Sequence, residues 1–167
     1  MDTQRSSLVL VSKSPTETLR IGGRLGAGLR GGDCVALRGE LGAGKTCLTQ
    51  GIACGLGVPD GYAVASPTFT LINEYSGKKI ALFHLDVYRL TGDADLEEIG
   101  YREYLGRGGV LVVEWAEKIS GSIPDRALWV TLSYLDEYVR RIELTDTPER
   151  IGFWKAILTP IITGCFE

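Results

Sequence analysis

Gly39-Glu40-Leu41-Gly42-Ala43-Gly44-Lys45-Thr46 decides how this chain reads, because it meets G-x-x-x-x-G-K-[ST] at every specified position. Upstream, Cys34 to Leu37 is an apolar run with the character of a strand. Downstream, Leu48, Ile52 and Leu56 recur every four residues, which predicts a helix from about Lys45 to Leu56 with one buried face. Strand, Gly-rich loop and helix form the context in which this pattern binds phosphate. Gly39, Gly42 and Gly44 allow backbone turns and a close approach to the ligand. The loop N–H groups point inward at a helix start, where the dipole favours anions. Lys45 neutralises the β- and γ-phosphates, and the Thr46 hydroxyl binds Mg²⁺. The expected ligands are ATP and Mg²⁺, held by Gly39, Glu40, Leu41, Gly42, Ala43, Gly44, Lys45 and Thr46, with Cys47 immediately after.

A phosphate loop needs carboxylates for the metal and for the attacking water. Two end buried strands. Asp86 terminates Leu82-Phe83-His84-Leu85-Asp86, and Glu114 terminates Val110-Leu111-Val112-Val113-Glu114. Both runs are almost continuously apolar, as in strands covered on both faces. In open α/β sheets ligands sit beyond the carboxyl ends of the strands, which is where both residues fall. Asp86 is assigned to Mg²⁺, directly or through water. Glu114 is either a group supporting the metal or the one that orients the hydrolytic water. Ser66-Pro67-Thr68-Phe69 lies in the loop after the phosphate-binding helix, where it reads either as a plain turn or strand entry or as a segment whose Thr68 orders with γ-phosphate and Mg²⁺. His84, inside its apolar strand, reads as a core residue or as a support for the site.

The rest of the chain fits around this centre. Leu8 to Val11 reads as a first strand, and Ser14-Pro15-Thr16-Glu17 as a capping box opening a helix to about Leu29. Gly22 and Gly23 should weaken that helix by about 1 kcal/mol each. Leu71 to Tyr75 is strand-like, and Asp93 to Leu105 is acidic and helix-like. Leu128, Val130 and Leu132 alternate with Trp129, Thr131 and Ser133, and Ile142 and Leu144 alternate likewise, so the two runs form an antiparallel hairpin. Arg140-Arg141 reads as solvated strand surface, Trp129 and Trp154 as packing residues, and Pro148 to Leu158 as a closing helix. The predicted architecture is an α/β three-layer domain of the P-loop NTPase type. It has a parallel central sheet and antiparallel edge strands, and it is one domain over 1–167. No motif assigns a role to the tail from Thr147 to Glu167.

Composition narrows the function. The 167 residues are 44% hydrophobic and 23% charged, an ordinary globular balance. A net charge of −3 and a pI of about 5.3 argue against direct, charge-driven binding of nucleic acid. No apolar run reaches the ~20 residues that span a bilayer, and Met1 to Ser7 lacks a signal pattern, so a cytosolic protein is expected. Cys34, Cys47, Cys54 and Cys165 form no C-x-x-C, and with a single histidine there is no zinc set.

Together these segments resemble the TsaE family. The matching motifs are Gly39 to Thr46, Ser66 to Phe69, His84-Leu85-Asp86-Val87-Tyr88-Arg89-Leu90, Glu97-Glu98-Ile99-Gly100 and Glu114-Trp115-Ala116-Glu117. They occur in the family's order over roughly residues 10–145. The resemblance implies a weak ATPase that works with the TsaD and TsaB proteins to place threonylcarbamoyl on the adenosine beside the tRNA anticodon. It meets tRNA only through that complex. The family's loop Lys and Thr fall on Lys45 and Thr46, its switch-like Thr on Thr68, its metal-associated Asp on Asp86, and its Glu-Trp pair on Glu114 and Trp115. On this reading Glu114, Lys45 and Thr68 carry the catalysis, and Thr46, Asp86 and Glu114 attend the metal. Trp115 either packs or touches nucleotide or partner. Arg89 either serves phosphate or a partner, or pairs with the acidic 93–98 stretch. A small-molecule kinase is the main alternative. Its arginine-bearing lid would have to come from residues 87–109, where Arg89, Arg102 and Arg107 lie among Asp93, Asp95, Glu97, Glu98 and Glu103. A GTPase would need an N-K-x-D segment, which the chain lacks.

Overall fold

A computed structural model describes residues 4–67 and 69–162. Thr68 and Cys165 lie outside the described residues. The strands are β1 (Ser6–Ser12), β2 (Cys34–Arg38), β3 (Ile72–Tyr75), β4 (Leu82–Asp86), β5 (Val110–Glu114), β6 (Leu128–Tyr134) and β7 (Arg140–Asp146). The helices are α1 (Pro15–Gly28), α2 (Lys45–Gly55), α3 (Asp93–Glu98), α4 (Tyr101–Leu105) and α5 (Pro148–Ile162), with a 3₁₀ segment over Ala116–Ser122.

All seven strands join one sheet in the order β1-β7-β6-β2-β5-β4-β3. The inner pairs β6/β2, β2/β5 and β5/β4 are parallel, and β1/β7, β7/β6 and β4/β3 are antiparallel. A parallel core with antiparallel edges is therefore the architecture, as expected.

The period-two geometry of a strand sorts its side chains between two cores. Val35 and Leu37 of β2 and Val110 and Val112 of β5 face the helices α1, α2 and α5. Cys34, Ala36, Leu111 and Val113 face the opposite layer, with Phe83, Leu96, Tyr101 and Ile119. These strands are apolar throughout because both faces are covered. Leu48 and Ile52 of α2 are fully buried against the first face, each worth about 1.5–3 kcal/mol relative to exposure. The three layers do not extend across the whole sheet. Leu128, Val130 and Leu132 are buried on the helix side, but Trp129, Thr131 and Ser133 are only half-buried on the other, and Val9 and Val11 are exposed. The alternation in β6 and β7 recorded this one-sided cover.

Helix α1 starts as read. Ser14 Oγ accepts from Glu17 N at 3.2 Å, and Glu17 Oε2 reaches back to Lys13 N at 2.6 Å. The glycines of this helix also serve a contact that propensity does not show. Gly22 and Gly26 of α1 face Gly51 and Gly55 of α2 so closely that a Cβ on any of the four would meet main-chain atoms of the other helix. These glycines lower helix propensity but permit the contact that holds α2 on α1.

Other differences have local causes. The 93–105 segment is two helices rather than one, because Gly100 turns left-handed (φ 70°) between them. Leu71 also adopts a left-handed conformation (φ 64°), so β3 begins one residue later than read. Helix α5 continues past Leu158 to Ile162 and carries Pro160 in its last turn. Within the tail whose role was open, Trp154 and Leu158 are fully buried against the α1 side of the core. Trp154 Nε1 donates to Asp146 Oδ2 at 3.2 Å. Trp129 is half-buried under the Arg38 guanidinium, 5.4 Å from its ring centre. Among the described residues no helix is long and apolar enough to cross a membrane.

Candidate functional site: a phosphate loop closed by Glu114

The loop between β2 and α2 is built on left-handed glycines. Gly42 (φ 77°) and Gly44 (φ 106°) occupy backbone conformations that side chains rarely tolerate. Gly44 is the N-cap of α2 and supplies no side-chain cap, unlike Ser14 at α1. The first-turn N–H groups of α2 are thus left for an anion. Glu40 and Leu41 contribute main chain only, since their side chains face solvent and Leu41 is 79% exposed. Ala43 is buried and pins the loop to the core.

Lys45 Nζ donates to Gly39 O at 2.5 Å and Glu40 O at 2.9 Å, and lies 3.8 Å from the centre of the Trp115 ring. Burial lowers the Lys45 pKa below the usual lysine value, opposed by Glu114, Glu117 and Asp86. Trp115 holds this place in a left-handed conformation (φ 61°), unusual for a bulky side chain. Tyr88 packs on its ring at 4.8 Å. Trp115 reads from sequence as packing or as a contact with nucleotide or partner; its ring packs against Tyr88 and the loop lysine.

The carboxylates meet the loop at the ends of β4 and β5, where Asp86 and Glu114 are register partners. Thr46 Oγ1 donates to Glu114 Oε1 and Oε2 at 3.0 and 3.1 Å. His84 Nε2 lies 2.7 Å from Glu114 Oε1. Glu114 and His84 are both buried. Asp86 is more open. It accepts from the Ser66 hydroxyl and, at 2.9 Å, from Tyr88 N. The Ser66 bond ties the segment leading to Thr68 to Asp86.

On the other side of the loop a cavity of about 190 Å³ is lined by Ser14, Pro15, Thr18, Gly42, Gly44, Cys47, Tyr138 and Arg140. Cys47 Sγ contacts Pro15 O at 3.5 Å, and burial raises its pKa. Tyr134 donates to Leu41 O at 2.6 Å and carries Arg140 over its ring at 4.2 Å.

The structure therefore brings Gly39 to Cys47, Asp86 and Glu114 into one place, and Thr68 lies outside the described residues. Arg140, read as strand surface, lines the cavity instead, whereas Arg141 pairs with Glu143 at 2.6 Å as a surface residue would. Arg89 lies over the Phe69 ring at 5.4 Å. The ion pair within the acidic stretch is made by Arg102 and Glu97. Missed from sequence were Tyr134, Tyr138 and Arg140 beside the loop, and Ser66 on Asp86. Ser66 stood in a quoted motif, but nothing local marks the hairpin, which reaches the loop only because β6 lies beside β2.

The model of the family described as threonylcarbamoyl adenosine biosynthesis protein TsaE matches residues 12–142. The tRNA threonylcarbamoyladenosine biosynthesis protein TsaE of Treponema pallidum is 40% identical over 132 residues, 79% of this chain and 96% of that protein. The protein of the same name from Bacillus subtilis is 39% identical over 137 residues, covering 82% and 84%. The crystal structure of Bacillus subtilis YdiB superposes with a TM-score of 0.77 at 33% identity, covering 93% of this chain and 96% of that one. A match across more than half of the chain, with relatives of this identity and coverage, settles the family: this chain belongs to the TsaE family.

Proposed function

We propose that the whole chain acts as one ATPase domain that binds ATP with Mg²⁺, hydrolyses it slowly alone, and serves tRNA threonylcarbamoyladenosine formation with TsaD and TsaB. The role is the one that the names of its relatives carry. The observation that supports the chemistry best is the meeting of Lys45, Thr46, Asp86 and Glu114 at an uncapped helix start. The cavity beside Ser14, Thr18, Tyr138 and Arg140 is the fitting place for the nucleoside, with the phosphates running along the loop towards Lys45.

The donor set suits Mg²⁺. Thr46, Asp86 and Glu114 offer hard oxygens, and among the described residues no group of three or more His, Cys, Asp or Glu forms a metal cluster. Mg²⁺ uses one or two carboxylates together with substrate phosphates, so a sparse set is what it needs. Mg²⁺ when bound would neutralise charge on the β- and γ-phosphates. Lys45 would exchange the Gly39 and Glu40 carbonyls for phosphate oxygens while Trp115 keeps its ammonium in place. Glu114 holds the Thr46 hydroxyl and stands ready to orient water. Ser66 and Thr68 carry the presence of γ-phosphate outward.

Slow turnover is expected because Lys45 is the cation placed for the γ-phosphate and Arg89 lies over the Phe69 ring instead. Fast phosphoryl transfer uses an additional positive group on the γ-phosphate. Arg102 and Arg107 are tied to Glu97 and Glu74, which also speaks against a kinase lid. A partner is then needed to complete the site.

The test is the affinity for TsaD–TsaB of wild type and Thr68→Ala, each with and without ATP-Mg²⁺, with phosphate release followed in parallel. ATP should strengthen wild-type binding, the complex should speed hydrolysis, and Thr68→Ala should lose the ATP effect. Partner affinity indifferent to nucleotide, or phosphate delivered to a metabolite rather than to water, would refute the proposal.

A further inference from the structure

We infer that His84 is a positioning residue for Glu114, fixing oxygen Oε1 so that the carboxylate keeps the orientation in which it meets the Thr46 hydroxyl. This rests on the ATPase reading above. His84 is the only histidine in the chain. It is fully buried, and its Nε2 lies 2.7 Å from Oε1. Its place follows from the sheet. In the parallel register of β4 and β5, His84 pairs with Val112 and Asp86 with Glu114. His84 and Glu114 thus lie diagonally on the face that carries α2.

Glu114 is held from two directions. Among the described residues Oε1 meets His84 Nε2 and a share of the Thr46 hydroxyl, whereas Oε2 has only the other share of that hydroxyl. An ionised carboxylate offers about four acceptor positions, two on each oxygen. Oε1 is filled and Oε2 is not. Without His84 the carboxylate could rotate about its last torsion, and its plane would no longer be held towards Thr46.

The other ring nitrogen makes the case against a packing role. His84 Nδ1 is buried with no hydrogen-bond partner among the described residues. An unpaired buried polar atom is a cost to stability. A strand chosen for packing alone would carry an apolar residue there, as it does at Leu82 and Leu85. The ring is retained for what Nε2 does. In the step it serves, the water oxygen bonds to the γ-phosphorus, the bond to the β–γ bridging oxygen breaks with its electron pair leaving on ADP, and the water proton leaves with the inorganic phosphate.

Two measurements test this. Because the histidine is unique, ¹⁵N-histidine NMR of the nucleotide-free full chain reads its tautomer without assignment. The expected state has the proton on Nε2 and none on Nδ1, with the Nε2–H signal shifted by Glu114→Gln. A ring protonated on Nδ1 alone would overturn the inference. The second measurement is turnover in the TsaD–TsaB complex. His84→Leu should lower kcat about 10–100-fold with ATP affinity unchanged, and His84→Gln, which keeps an N–H donor, should recover most of it. A leucine variant with wild-type kcat overturns the inference alone. A glutamine variant that folds but is as slow as the leucine variant does so too. A wild-type complex that hydrolyses no ATP overturns the ATPase reading and this inference with it.

Discussion

Replacing Gly26 by alanine should destabilise the protein, although alanine is the better helix former. The Cβ would fall on the carbonyl oxygen of Ile52 and stand 3.0 Å from Gly55 Cα. The obstacle is the main chain of α2, so no side-chain rotation relieves it and the helices must part. Overpacking of this kind costs about 1–3 kcal/mol, and the alanine propensity returns about 1 kcal/mol. Where the clash is with backbone the upper part of that range applies, leaving a net loss of about 1–2 kcal/mol. For a domain of this size that lowers Tm by roughly 3–8 °C. Gly152 is the control, because it lies exposed in α5 with nothing within 4 Å of an added Cβ. Gly152→Ala should gain up to about 1 kcal/mol. The assay is urea unfolding followed by circular dichroism, with equal m values required for a fair comparison. Gly26→Ala together with Gly55→Ala should cost less than the sum of the two, since either change already forces the same separation. If Gly26→Ala stabilised the chain as Gly152→Ala does, the close contact between α1 and α2 would be refuted.

Two further outcomes follow from the site. Tyr134→Phe removes the 2.6 Å bond to Leu41 O, and the loss of about 1 kcal/mol of loop support should weaken ATP binding several-fold by titration calorimetry; unchanged affinity would show that the hairpin does not hold the loop. Among the described cysteines, thiol labelling read by peptide mass spectrometry should find exposed Cys54 fastest, Cys47 slower and further slowed by ATP-Mg²⁺, and Cys34 inert until unfolding. Burial raises the Cys34 pKa to about 12, so labelling of Cys34 at the rate of Cys54 would contradict the packing of β2.

By itself the sequence determined whatever depends on neighbours along the chain. The loop from Gly39 to Thr46 is a local device of glycine conformations and one helix start, and so was legible. Ser14 and Glu17 mark their helix within four residues of chain. The unbroken apolar runs ending in Asp86 and Glu114 told of strands covered on both faces, and the alternation in β6 and β7 told of strands covered on one. Tertiary structure alone decided what depends on strand order and on the approach of backbones. Tyr134 and Arg140 reach the loop because β6 pairs beside β2, a neighbour some 90 residues away in sequence that no local pattern encodes. His84 meets Glu114 because the β4–β5 register sets them diagonally on one face, and a shift of one residue would have parted them. Gly22 read as a flaw in a helix because propensity is a property of one helix. Its value, like that of Gly26, lies in the distance to a second one.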